Sequence, residues 1–272
     1  MASPYAIRKL INKIYATRFF WSGLTRYRVI GWLIERIFFK NDDVVFLPKD
    51  SVFAINETIA PPESLAVPSG VVEHFIRAAG VIWIMDFCIC RDSEGCKDYP
   101  VEYGCIFLGA AAGGINPAFG RRATAEEAIA HARKCREAGL VQMIGRNRID
   151  TLWLNIGPPG KLMTICNCCP CCCLWQTLPY MHPDISRKIS RMPGIQMEVN
   201  DNCTGCGICT NGTCFVKAIH MENGCAVIDQ SQCRGCGRCA SVCPRHAVSM
   251  VVKNPAFIQN AIRQISRSVD VS

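Results

Sequence analysis

Eight cysteines near the carboxyl end stand at spacings that suit thiolate ligands of iron-sulfur clusters. Cys203, Cys206 and Cys209 are followed by Cys214, and Cys233, Cys236 and Cys239 are followed by Cys243 and Pro244. The second run reads C-x2-C-x2-C-x3-C-P, in which three thiolates ligate one [4Fe-4S] cluster and the fourth serves its neighbour. Each cysteine of the first trio lies thirty residues before its counterpart in the second, so the segment is an internal duplication. Gly205, Gly207, Gly235 and Gly237 let the backbone bend closely around a cluster and turn amide hydrogens toward its sulfurs. Zinc knuckles also use C-x2-C pairs. Two complete four-cysteine copies weigh against them.

These residues resemble the bacterial two-cluster ferredoxin module, over roughly residues 196 to 253. The resemblance implies two [4Fe-4S] clusters, one held by Cys203, Cys206, Cys209 and Cys243 and the other by Cys233, Cys236, Cys239 and Cys214. The first copy departs from the pattern, with one extra residue before Cys214 and Phe215 where proline is expected. The loop near Cys214 should therefore differ in shape.

Ten further cysteines form two groups, Cys88, Cys90, Cys96 and Cys105, then Cys166, Cys168, Cys169, Cys171, Cys172 and Cys173. A free cysteine is often a small buried hydrophobe, but the run from Cys166 to Cys173 cannot turn every thiol into one core. Metal binding is the expectation: at least one further iron-sulfur cluster, with structural zinc or redox-active thiols as alternatives. Cys88, Cys90, Cys96 and Cys105 are the first candidates, and Cys166, Cys168 and Cys169 the next. Residues 71 to 252 also resemble a group of iron-sulfur proteins of strict anaerobes. The resemblance rests on Cys88-Ile-Cys90-Arg91, Tyr103-Gly-Cys105-Ile-Phe-Leu-Gly109, the helix beginning Glu126-Glu-Ala and ending Ala138-Gly-Leu-Val141, and Ile165-Cys-Asn-Cys-Cys169-Pro-Cys171. It implies electron transfer and assigns no substrate. Cys135 and Cys225 stand apart and read as packing residues. The five histidines are scattered without metal-binding spacing.

The elements that must position these thiols point to an α+β chain. Its expected parts are a basic helical segment (1–45), a linker (46–70), a small α/β cysteine-rich domain (71–195), a two-cluster ferredoxin-like domain (196–253) and a final helix (254–272). Ile7, Leu10, Ile11 and Ile14 recur at helical spacing, as do Ile30, Leu33, Ile34, Ile37 and Phe38. Pro48, Pro61, Pro62 and Pro68 mark the linker. A helix follows Ser69, and a buried strand over 81–87 delivers Cys88 and Cys90 to one side, since alternate strand residues point the same way. Thr124 with Glu127 forms a capping box for a helix that ends at Gly139. Strands are expected at 140–144, 151–156 and 161–165, the last two joined by Gly157-Pro-Pro-Gly160. A sheet built from these would carry both middle cysteine groups to one edge. Phe257, Ile258, Ala261, Ile262 and Ile265 give the final helix an apolar face.

With 272 residues, half of them apolar, the chain can bury a sizeable core. Twenty cysteines, eight of them in ferredoxin spacing, imply a reducing, cytoplasmic and anaerobe-like setting. Export signals are not expected, and no apolar run reaches the ~18 residues of a bilayer span. The net charge of +8 is concentrated at the start, where eight basic residues up to Lys40 face Glu35 alone. With Phe19, Phe20, Trp21, Trp32 and Phe39 nearby, that segment could dock on a redox partner, pack on its own domain or touch an anionic membrane surface. Nucleic acid is not expected, because no reading motif accompanies the charge. Gly109, Gly113 and Gly114 lack a phosphate-loop context.

Function on this reading is transfer of single electrons, through two or more clusters, to or from a redox enzyme or protein partner. The alternative is a reductase subunit whose middle cysteines hold a catalytic cluster or thiol site fed by the ferredoxin part, with Arg91, Asp92, Glu94 and His182 as candidate acid/base groups. A zinc-stabilised assembly scaffold is the third reading.

Overall fold

The computed structural model describes residues 4–52 and 67–272. Three short helices open the chain: α1 (Pro4–Tyr15), α2 (Arg18–Leu24) and α3 (Arg28–Ile34), the last continued by a wide turn of helix at Glu35–Phe39. There follow β1 (Asp43–Phe46), α4 (Ser69–Ala78), β2 (Ile82–Met85), α5 (Ile89–Glu94), β3 (Ile106–Leu108), β4 (Gly120–Arg122), α6 (Ala125–Glu137) and β5 (Val141–Arg146). Next come α7 (Arg148–Leu154), β6 (Met163–Cys168), α8 (Pro183–Ser186), β7 (Ile189–Arg191) and β8 (Ile195–Val199). The chain ends with β9 (Ile219–Glu222), β10 (Cys225–Ile228), α9 (Arg238–Ser241), β11 (Val248–Val252) and α10 (Phe257–Ser268). The class is α+β.

Seven strands make one sheet in the order β4-β2-β3-β6-β5-β1-β7, in which β1 and β7 run parallel and the other neighbours antiparallel. Period-two alternation gives the sheet two apolar faces. Val45, Ile84, Ile106, Leu108, Ile144 and Ile165 pack with α4, α6 and α10. Trp83, Phe107, Val44, Phe46 and Met143 turn the other way, as do Cys166 and Cys168. Ile106, Leu108, Ile144, Met163 and Ile165 are all fully buried, and each such side chain contributes about 1.5–3 kcal/mol relative to exposure.

Two local readings are corrected. Residues 151–156 are not a strand: α7 spans Arg148–Leu154, burying Asp150, Thr151 and Leu154 at helical spacing while Leu152 is exposed. The Asp150 carboxylate, accepting from Asn147, Trp153 and Thr164, fixes this turn of helix in place. Cys88 and Cys90 are not presented by one strand either. Cys88 is the extended residue that starts α5, and Cys90 lies on that helix. Of the proline-marked linker, Pro61 and Pro62 lie outside the described residues, and Pro68 precedes α4.

The capping box is present, with Glu127 N donating to Thr124 Oγ1 and Thr124 N to Glu127 Oε2. The face of α10 expected to be apolar is buried through Phe257, Ile258, Ala261 and Ile265, and the helix lies against β1, β5 and α4. The antiparallel pair β8–β11 places Ile195, Met197, Val248 and Met250 in that same core. The cysteine duplication is thereby packed directly on the body of the protein.

Candidate metal centres

The C-terminal duplication places its eight thiols in two crossed quartets. Cys203, Cys206, Cys209 and Cys243 line one cavity together with Pro244, Met221 and Ala226. Cys214, Cys233, Cys236 and Cys239 are mutual electrostatic neighbours. Burial pushes the Cys236 thiol up to about 11, and Cys214 and Cys233 add to that effect, whereas the Arg238 backbone amide and guanidinium oppose it. Binding a cation or cluster would release such thiols as thiolates.

Each copy bends through paired glycines with left-handed backbone, Gly205 and Gly207 at φ 69° and 72°, Gly235 and Gly237 at 64° and 79°. Backbone amides then point at sulfur. Ala226 N donates to Cys203 Sγ at 3.4 Å, Gly235 N to Cys233 Sγ at 3.4 Å, Ala218 N to Cys214 Sγ at 3.3 Å and Ala247 N to Cys243 Sγ at 3.2 Å. The last two bonds are equivalent in the two copies, as are the left-handed residues Lys217 and His246 just before the donors. The extra residue is therefore absorbed ahead of Cys214, where a short turn at Ile208–Thr210 replaces the α9 helix of the second copy. The expected difference in shape therefore lies ahead of Cys214, while the loop following it keeps its partner's shape. Phe215 stands where the second copy has Pro244, and its ring lies 5.1 Å from that of Phe46 in β1.

The sheet joins the two middle cysteine groups. β3 and β6 pair antiparallel with Ile106 opposite Ile165, so Cys105 faces Cys166 across the strands, their sulfurs 3.7 Å apart. Cys88 is in thiol hydrogen-bond reach of both Cys90 and Cys105, and Cys168 of both Cys166 and Cys173. These contacts hold Cys88 and Cys168 well below the ordinary thiol range, while their donors are raised. The result is two trios of thiols in mutual reach, joined through Cys105 and Cys166. Cys96, Cys169, Cys171 and Cys172 gather separately, their sulfurs all within 4.8 Å of one another. Cys96 and Cys171 are 3.6 Å apart, as are Cys171 and Cys172.

Arg91 stands between the groups and is fully buried. Its guanidinium donates to the backbone carbonyls of Asn167, at 2.8 Å, and Tyr103. Burial works against its charge, but Cys88, Cys169 and Cys105 around it hold it firmly protonated. A buried guanidinium needs nearby partners able to carry negative charge, and cysteine sulfurs are what the fold sets around it.

Helix α1 covers the middle thiols. Tyr15 donates from its hydroxyl to Cys172 O at 2.5 Å and neighbours Cys90 and Cys173. Arg8 and Asn12 bind Asp92, and Arg18 binds Glu94 at 2.6 Å, tying α1 and α2 to α5. Two of the candidate acid/base groups are thus committed to ion pairs, and His182 uses Nδ1 to cap α8.

The middle and C-terminal thiols share packing. Cys168 and Cys173 belong to one apolar cluster with Phe215 and Val216, against which Cys166, Cys214, Cys233 and Cys236 pack. Arg238, between Cys236 and Cys239 in sequence, donates to Cys168 O at 2.8 Å. Tyr15 lies in no motif and Arg238 is a variable position of one, so only the fold reveals their contacts. Cys135 is buried beside Cys169 and Cys172 as a packing residue. Cys225 is instead exposed, because strand alternation in β10 buries Ala226 and turns Cys225 outward.

With this geometry in view, the 4Fe-4S binding domain family matches residues 226–249, which hold Cys233, Cys236, Cys239 and Cys243. The match and the duplicated cysteine geometry define an iron-sulfur ferredoxin-type module. No curated protein and no solved structure matches the chain. Among the described residues, no helix is long and apolar enough to cross a membrane.

Proposed function

We propose that this chain is an electron-transfer protein that passes single electrons through two [4Fe-4S] clusters and on into its cysteine-rich middle, to or from a redox enzyme partner. The crossed quartets, with three cysteines of one and one of the other inside the matched 4Fe-4S binding domain, carry this reading. Cys203, Cys206, Cys209 and Cys243 would hold one cluster, and Cys214, Cys233, Cys236 and Cys239 the other. Each cluster supplies a site that gains and loses one electron with little change of shape. The chain's own contribution is orientation and tuning. Amide donors at four ligand sulfurs stabilise the reduced, more negative state. The apolar packing shared by Cys236, Cys214, Cys168 and Cys173 excludes water and keeps the path short. Cys206 is exposed, so the first quartet offers the face for exchange with a one-electron partner.

The N-terminal helices seat the molecule on an anionic lipid surface. Their amphipathicity is inverted: Arg8 and Arg18 turn inward to α5, while Leu10 (58 % exposed), Phe20 (63 %), Trp21 (51 %) and Trp32 (59 %) face outward. Lys9, Lys13, Arg26, Arg28, Arg36 and Lys40 are exposed among them, and Glu35 is neutralised by Lys188. An acidic protein would answer the charge alone; headgroups and acyl chains answer both charge and apolar area.

Iron and acid-labile sulfide in anaerobically prepared full-length protein test the electron-transfer reading. About eight or more of each per chain are expected. Iron without sulfide, or neither, would overturn it.

A further inference from the structure

Sulfur spacing divides the ten middle cysteines into two kinds of site. Four thiolates arranged tetrahedrally around one ion, with metal–sulfur bonds of about 2.3 Å, leave about 3.8 Å between sulfurs. Cys96, Cys169, Cys171 and Cys172 already meet that description, with two separations of 3.6 Å and all four sulfurs within 4.8 Å. Among the described residues no other three potential ligand atoms converge so closely. The two C-terminal quartets therefore do not, although their sequence spacing is that of cluster ligands. The molecule thus contains its own reference: compact sulfurs suit one ion, and sulfurs spread around a space suit the corners of a cluster.

Cys88, Cys90, Cys105, Cys166, Cys168 and Cys173 form an extended chain of thiols rather than one compact knot. Adjacent members touch, as Cys105 and Cys166 do at 3.7 Å, yet no three meet at a point. Their location also differs. Cys166, Cys168 and Cys173 lie against the apolar cluster on which Cys233 and Cys236 also pack, and there Arg238 reaches Cys168 O. The compact four lie beyond Arg91, beside Cys135 and Leu140, with Cys96 and Cys171 half-buried.

We propose that Cys96, Cys169, Cys171 and Cys172 hold a single thiophilic ion, zinc or iron, and that the six remaining thiols hold a further iron-sulfur cluster as the inner end of the relay. This rests on the electron-transfer reading above. The single ion pins the run from Cys169 to Cys172 to the loop at Cys96, so it fixes the wall of the cluster site without carrying electrons. Arg91 lies between the two groups, with Cys88 and Cys105 as electrostatic neighbours on one side and Cys169 in side-chain hydrogen-bond reach on the other. One buried cation serving both explains why no carboxylate accompanies it.

The test is metal and sulfide analysis of the intact chain, prepared without oxygen, beside its Cys169→Ser and Cys105→Ser/Cys166→Ser variants. The wild-type protein should contain about twelve irons with matching sulfide and one ion outside the clusters. Cys169→Ser should lose that one ion and keep the sulfide. The double variant should lose about a third of the iron and sulfide and keep both the ion and the ferredoxin-type electron paramagnetic resonance signal. Should the variants fail to fold, X-ray absorption on the wild-type chain replaces them. A zinc edge with only a sulfur shell near 2.3 Å supports the proposal, and so does a Mössbauer signature of one iron on four thiolates. Eight irons with intact ferredoxin signals and no further ion would overturn the partition while leaving the ferredoxin reading standing. Absence of any ferredoxin-type signal would mean that the earlier reading itself had failed. Loss of sulfide with Cys169→Ser would overturn the partition alone, by making the compact four cluster ligands.

Discussion

At the scale of residues, Arg91 shows how one side chain can be decided by its surroundings. It sits fully buried among thiols, with carbonyl oxygens as its hydrogen-bond partners. Replacing it by methionine should lower the midpoint potential of a middle cluster, because a buried positive charge favours the added electron. The ferredoxin potentials should stay in place. The same change strands two carbonyls and should cost about 1–3 kcal/mol of stability, read by denaturant unfolding. Asp42 offers a separate test by pH. Burial raises its carboxyl from 3.8 to about 7, against the opposing amide of Arg148 and the charge of Lys188. The folded chain therefore keeps a proton that the unfolded chain has already released. Stability from this group is greatest below 3.8 and falls as the pH rises to about 7. Asp42→Asn should melt higher than the wild type at pH 8, with the difference vanishing toward pH 4.

At the scale of elements, the duplicated cysteine loops depend on backbone shape. Gly205 is left-handed, and a Cβ there would lie 2.2 Å from Gly224 O. Gly205→Ala should cost one cluster's iron, whereas the exposed helix cap variant Thr124→Ala should cost only about 1 kcal/mol with full iron content. Equal iron in the two variants would contradict this. Much of this layer is legible in the sequence, because it is local. The capping box, the α10 face and both cysteine trios depend on residues within a few positions of each other. What escapes is long-range: α7 replaces an expected strand because Asp150 is claimed by Thr164 on β6. Phe215 replaces proline because its ring meets β1. Likewise, ten middle cysteines announce metal chemistry, but their division into four and six follows from strand pairing that no spacing rule contains.

At the scale of the whole molecule, the thiols run from the quartet with exposed Cys206, through the half-buried second quartet, to those beneath α1. The exposed aromatic and basic face of α1 to α3 predicts binding to vesicles with anionic lipid, weakened by salt and by Trp21→Ser/Trp32→Ser, with little binding to neutral vesicles. Co-sedimentation measures this, and equal recovery with neutral and anionic vesicles would contradict a charge-assisted lipid surface. The most direct test of the account is a reductive titration of the anaerobic, full-length protein, with reduced clusters counted by electron paramagnetic resonance. The account predicts at least about two single-electron steps per chain and spectra split by interaction between neighbouring clusters. A protein that takes up no electrons, or shows one isolated centre, would contradict it.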